Sequence, residues 1–110
     1  MDWAMQFPGA VTVCDSDLTI IYMNEKAMSN FSVDGGESLL GKNLVDCHQA
    51  RSMEIMQRIL DTGEPNAYTI EKAGKKKMIY QAPWRKDGII AGLVEVSMEV
   101  PFDMPHFVRS

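Results

Sequence analysis

Apolar and polar positions alternate most clearly toward the C-terminal end of the chain. Ile90, Val94, Val96, Met98 and Val100 form one series, and Leu93, Glu95, Ser97 and Glu99 form the other. A period of that kind belongs to a strand with one buried face. The run before it, Met78 to Trp84, is rich in apolar and aromatic residues, and Asp87-Gly88 lies between the two runs. Asp-Gly between β-prone runs predicts a tight hairpin, because glycine accepts positive φ without a Cβ clash. A hairpin alone is not stable in water, so the rest of the chain must supply further strands and a cover for the apolar series.

The remaining chain offers those parts. Trp3 and Phe7 stand at i, i+4 spacing in a short turn that Pro8-Gly9 ends. Ala10 to Cys14 and Leu18 to Asn24 read as strands joined across Asp15-Ser16-Asp17, an antiparallel hairpin. Asn24 is placed to cap a helix over Glu25 to Phe31, which Asp34-Gly35-Gly36 interrupts. Short helical turns are expected at Glu37 to Leu40 and within Gly41 to His48. Gln49 to Thr62 is the clearest helix, with Met53, Met56, Ile59 and Leu60 on one stripe and Gly63 as its C-terminal stop. Asn66 to Lys72 is a further strand, turning at Ala73-Gly74 into the opening hairpin. The order β-β-α-α-α-β-β-β groups strands around a helical block, which predicts an α+β fold with an antiparallel sheet. The tail after Val100 has two prolines and cannot be regular, yet carries Phe102, Met104, Phe107 and Val108. It is expected to fold back over its own sheet, or else to meet a partner.

Composition narrows the class rather than the function. At 110 residues, 45% apolar and 24% charged, the chain suits one globular domain. A net charge of −4 argues against a nucleic-acid partner, and the Lys75-Lys76-Lys77 cluster reads as a solvated strand edge. No apolar run is long enough to span a membrane, and no targeting or lipidation motif is present. Two cysteines, Cys14 and Cys47, do not make a disulfide framework, so a cytoplasmic setting with free thiols is expected. Nine methionines give an adaptable core or pocket lining.

With the elements in order, the chain resembles a PAS domain from about Ala10 to Val100. The resemblance rests on Ile20-Ile21-Tyr22-Met23-Asn24 entering Glu25-Lys26-Ala27, on Gly41-Lys42-Asn43-Leu44, and on the helix ending Thr62-Gly63-Glu64-Pro65. The final strands meeting at Lys86-Asp87-Gly88 and continuing through Gly92-Leu93-Val94 complete it. It implies a five-stranded antiparallel sheet with helices packed on one face and a pocket between them. Residues 1–9 then become an N-terminal cap, 10–100 the domain and 101–110 a tail. It also implies a free-standing sensory module that binds a small ligand and signals through protein contact, as a homodimer or with a signalling partner. A ligand-free interaction module is the alternative. Flavin photosensors of the family carry a cysteine where this chain has Leu44, and a flavin-contacting Gln where it has Val94, which argues against a flavin photoadduct. The proximal haem histidine of other members would fall near Ser52, so the usual axial ligand is absent, and no cofactor is assigned.

The residues expected to line the pocket are Tyr22, Met53, Met56, Tyr68, Ile79, Gln81 and Val94, with Cys47 and His48 at its rim. Cys47-His48 could ligate haem or act in redox chemistry, a third and weaker reading. Neighbours on a helix point about 100° apart, however, and two ligands do not close a zinc site. A structural role is therefore the first reading of that pair. No nucleophile–base set, GxSxG, HExxH or phosphate loop is present, so no enzymatic activity is expected.

Overall fold

The two turn signals in the second half of the chain set the register of the sheet. Ala73-Gly74 has φ of 53° and 76°, and Asp87-Gly88 has φ of 53° and 80°. Paired positive φ is the geometry of the tightest hairpin turns, whose twist matches that of the flanking strands. They join β3 (Asn66–Lys72), β4 (Lys75–Lys86) and β5 (Ile89–Val100) into an antiparallel meander. At the other end β1 (Ala10–Asp15) pairs with β2 (Ile20–Met23) and with β5, giving one five-stranded sheet in the order β2-β1-β5-β4-β3. The computed structural model describes residues 1–46 and 49–110. Cys47 and His48 therefore lie outside the described residues.

Between β2 and β3 run the helical elements: α1 (Glu25–Asn30), three short 3₁₀ turns at Ser32–Asp34, Gly36–Leu39 and Leu44–Asp46, and α2 (Ala50–Thr62). The helix α2 ends on Gly63 in the left-handed region, and its N–H reaches the Ile59 carbonyl at 2.8 Å. The elements expected from the sequence are thus present, with shifted bounds. The second strand begins at Ile20 rather than Leu18, because Leu18 takes φ of 66° to close the turn. Asp15 Oδ1 holds that turn by accepting from the N–H groups of Asp17 and Thr19 at 3.0 Å each. A left-handed leucine costs about 1 kcal/mol. Burial of Leu18 against Cys14, Met56, Ile59 and Leu93 offsets that cost.

Asn24 joins the N-terminal segment to the sheet. Its side chain is fully buried. Oδ1 accepts from the N–H groups of Val11 and Ala27 at 2.9 Å, and Nδ2 donates to the carbonyls of Ala4 and Gly9 at 2.8 Å. The cap expected for α1 is therefore also the clamp on residues 4–9. Trp3 meets Phe7 edge-to-face at 5.6 Å, as their spacing suggests.

The helices cover one face of the sheet, and it is not the apolar face of β5. Leu93 packs under α2 with Cys14, Met56 and Ile59, which places Leu93, Glu95 and Ser97 on the inner face. Val94, Val96, Met98 and Val100 take the outer face, where they are half-buried. A strand has a period of two, so choosing the covered face exchanges every side chain. The expected cover from the tail is not formed either. Residues 101–110 are exposed throughout, with Phe107 69% and Val108 89% exposed.

Candidate functional site

Two core clusters meet on the inner face and leave a space between them. One gathers Ala10, Ile20, Met23, Ala27 and Leu39; the other gathers Cys14, Leu18, Met56, Ile59 and Leu93. Leu44 packs against both. The cavity between them has a volume of about 410 Å³ and is walled by Ile20, Met23, Phe31, Leu39, Leu44, Met56 and Leu93. That volume lies in the range of small-molecule sites, which are mostly apolar with a few placed polar groups.

Apart from Asp34, in the turn after α1, the polar groups here come from the sheet. Thr12 and Glu95 are cross-strand partners and Gln81 is the partner of Glu95 on the other side, so the three line one row of the cavity floor. Asn66 Nδ2 donates to Gln81 Oε1 at 2.9 Å, and Gln81 Nε2 donates to Glu95 Oε1 at 3.0 Å. A carboxylate only accepts, so it fixes which end of the Gln81 amide faces it. Cys14 also lines the cavity. Burial pushes its thiol up to about 11, against the lowering effect of a backbone hydrogen bond from Leu93, with Asp15 and Glu95 adding to the rise. The thiol is accordingly protonated at neutral pH. Tyr68, on the inner face opposite Ile79, has its phenol raised by partial burial and by the charge of Glu95.

The floor is held in place from behind. Trp84 Nε1 donates to the Cys14 carbonyl at 2.9 Å across β5. It can do so because Gly92 lies between them: a Cβ there would run into the Cys14 carbonyl, the Trp84 indole and Asp15.

Of the residues expected to form the pocket, Met56 and Gln81 line the cavity. Ile79 is buried on the same face, Tyr68 stands beyond it on the edge strand, and Met53 packs against the Met56 cluster from α2. Tyr22 and Val94 do not reach it. Val94 pairs with Val13 and Ala82 on the outer face, and Tyr22, also opposite Val13, donates its hydroxyl to the Asp2 carboxylate at 2.9 Å. Glu95 and Thr12 were not legible as site residues, since a Glu alternating with valines reads as the solvent side of a strand. The chain position that could have exposed the error is Leu93, whose parity is that of Glu95.

Among the described residues no group of three or more His, Cys, Asp or Glu could hold a metal ion. None of their helices is long and apolar enough to cross a membrane.

Comparison with known proteins settles the family. The family model described as the PAS fold matches residues 5–100. This chain is a PAS domain. No curated protein matches it. Solved structures similar to this PAS domain include the sensory box sensor histidine kinase from Vibrio cholerae, at 18% identity and TM-score 0.68, covering 88% of this chain and 86% of that one. The Aer2 receptor from Vibrio cholerae, a dual PAS-heme oxygen sensor, is similar at 15% identity and TM-score 0.65, covering 84% of this chain and 95% of that one. VqmA bound to DPO is similar at 16% identity and TM-score 0.66 over 87% of this chain, which spans only 54% of VqmA. At such identities the likeness is one of fold. Domains of the PAS family are generally sensory or interaction modules rather than enzymes.

Proposed function

We propose that this PAS domain is a cytoplasmic sensory module that binds a small ligand between its sheet and helices and signals through protein–protein contact. The observation that carries the proposal is the cavity of about 410 Å³, apolar in its walls and polar along one row of its floor. A core filled for stability alone would not leave such a space, because interiors are normally packed to crystal density. Met56 and Gln81 are the contact residues from the cavity wall, with Ile79, Met53 and Tyr68 supporting them. VqmA, bound to DPO in its solved structure, is a protein of this fold that takes a ligand. The signal is a population shift: a ligand that prefers one arrangement of α2 over the sheet stabilises that arrangement. The haem reading gains no support from the described residues, since its candidate ligands Cys47 and His48 lie outside them.

A second reading has its own observation. Val94, Val96 and Met98 give the outer face an apolar centre that the helices do not cover, which suits a homodimer or signalling partner even without ligand. Native mass spectrometry beside a visible absorption spectrum, on protein purified without refolding, separates the two. A non-covalent adduct on the chain supports the sensor. A colourless dimer at its bare mass, unchanged by small-molecule screens, contradicts it and favours the interaction module.

A further inference from the structure

The row on the cavity floor has one unused acceptor. Glu95 Oε1 takes the Gln81 amide at 3.0 Å, while Oε2 receives no hydrogen bond from any described residue. Yet no buried side-chain oxygen or nitrogen among the described residues lacks a partner, so Oε2 is open rather than sealed. Glu95 is one of the residues that line the cavity. The Thr12 hydroxyl beside it likewise has no side-chain hydrogen bond within the described residues. The formally charged groups along the described lining are Glu95 and, exposed at its margin, Asp34; neither lysine nor arginine is among them. A cluster of basic side chains, Lys26, Lys75 and Lys77, borders a separate cleft by Gly9 and Ser97.

Resting on the reading of this cavity as a ligand site, we infer that it takes a small molecule with an apolar body and a protonated amine seated against Glu95. A carboxylate inside apolar walls favours a cation because the pair is screened less there than in water. It disfavours an anionic ligand for the same reason, with Asp34 adding to the repulsion. The amine donates to Glu95 Oε2 and to the Thr12 hydroxyl, two acceptors that the described residues leave free. Gln81 keeps the carboxylate in position from its other side, and Asn66 keeps Gln81 in position. The Cys14 thiol adds no competing charge, since it remains protonated near neutral pH. Phe31, Leu44 and Met56 supply the surface for a flat or branched apolar body.

Three probes sharing one indole body test the class: tryptamine, tryptophol and indole-3-acetate. Titration of each into the full chain, followed by protein NMR, gives a ranking on the wild type and on Glu95→Gln. The inference predicts tryptamine to bind tightest and indole-3-acetate weakest. Glu95→Gln should weaken tryptamine by about tenfold to a hundredfold, the loss typical of a charge-assisted hydrogen bond. Tryptophol should change by less than about threefold. If indole-3-acetate or tryptophol binds as tightly as tryptamine, the amine class is overturned while the cavity stands as a ligand site. If none of the three binds below about 1 mM, the ligand-site reading falls with it. Should Glu95→Gln not fold, the wild-type ranking decides, since equal binding of the three probes overturns the amine class.

Discussion

The inner face of β4 and β5 carries Gln81, Glu95 and Ser97 beneath the helices, while the outer face carries Tyr80, Val94, Val96 and Met98 toward solvent. β1 is mixed: its inner face holds Ala10 and Cys14, both buried in the core clusters, with Thr12 between them on the floor row. A sheet covered on one side ordinarily puts its apolar series under the helices. Where this one does the reverse, the polar residues border a cavity instead of packed side chains. The difference separates two jobs within one layer. Ala10, Cys14, Ile20, Met23 and Leu93 build the core, while Thr12, Gln81 and Glu95 give it a polar floor and Val94, Val96 and Met98 an apolar surface on the other side.

Paired substitutions sharpen that contrast. Leu93→Ala should cost about 3 kcal/mol in urea unfolding, because it removes a buried side chain from between Cys14 and Met56. Val94→Ala, one residue on and half-buried, should cost about 1 kcal/mol or less. Equal costs would mean that the outer face is covered as well as the inner. Gly92→Ala should cost about 2 to 3 kcal/mol through overpacking, since its Cβ collides with the Cys14 carbonyl and the Trp84 indole. Val96→Lys should change the unfolding free energy of the monomer by about 1 kcal/mol or less. If the outer face is the partner surface, that same change should dissociate a dimer in analytical ultracentrifugation.

The smallest effect concerns pH. Burial holds the Cys14 thiol at about 11 in the folded chain, above its ordinary value of 9.0. The folded state therefore keeps a proton that the unfolded chain gives up. The stability tied to that proton is fully present below pH 9 and is lost as the pH rises through about 11. Cys14→Ala should remove this part of the alkaline decline, as measured by denaturant midpoints across that window.

The sequence made the frame legible where one local rule acts alone. Asp87-Gly88 and Ala73-Gly74 set two hairpins, Asn24 capped α1, and the Met53–Met56–Ile59–Leu60 stripe with Gly63 marked α2. The site was less legible because it depends on which way a strand faces. Alternation in β5 shows that two faces exist but not which one the helices choose, and the valine series pointed to the wrong one. That inversion moved Val94 into the expected pocket and left Glu95 out of it. Tyr22 failed for a similar reason, facing outward to Asp2 across from Val13. The tail was misjudged because its apolar residues suggested burial, whereas it remains exposed, with Lys76 Nζ donating to the Phe102 carbonyl at 3.4 Å.

One crystal structure, from protein purified without refolding, bears most directly on the division between the two faces. The decisive region is the space between Leu44, Met56 and Glu95. The account predicts non-protein density or ordered solvent there, in contact with Glu95, while Leu93 stays under α2. A closed space, with Phe31 and Met56 packed onto the sheet and Glu95 turned out to bulk solvent, would contradict it.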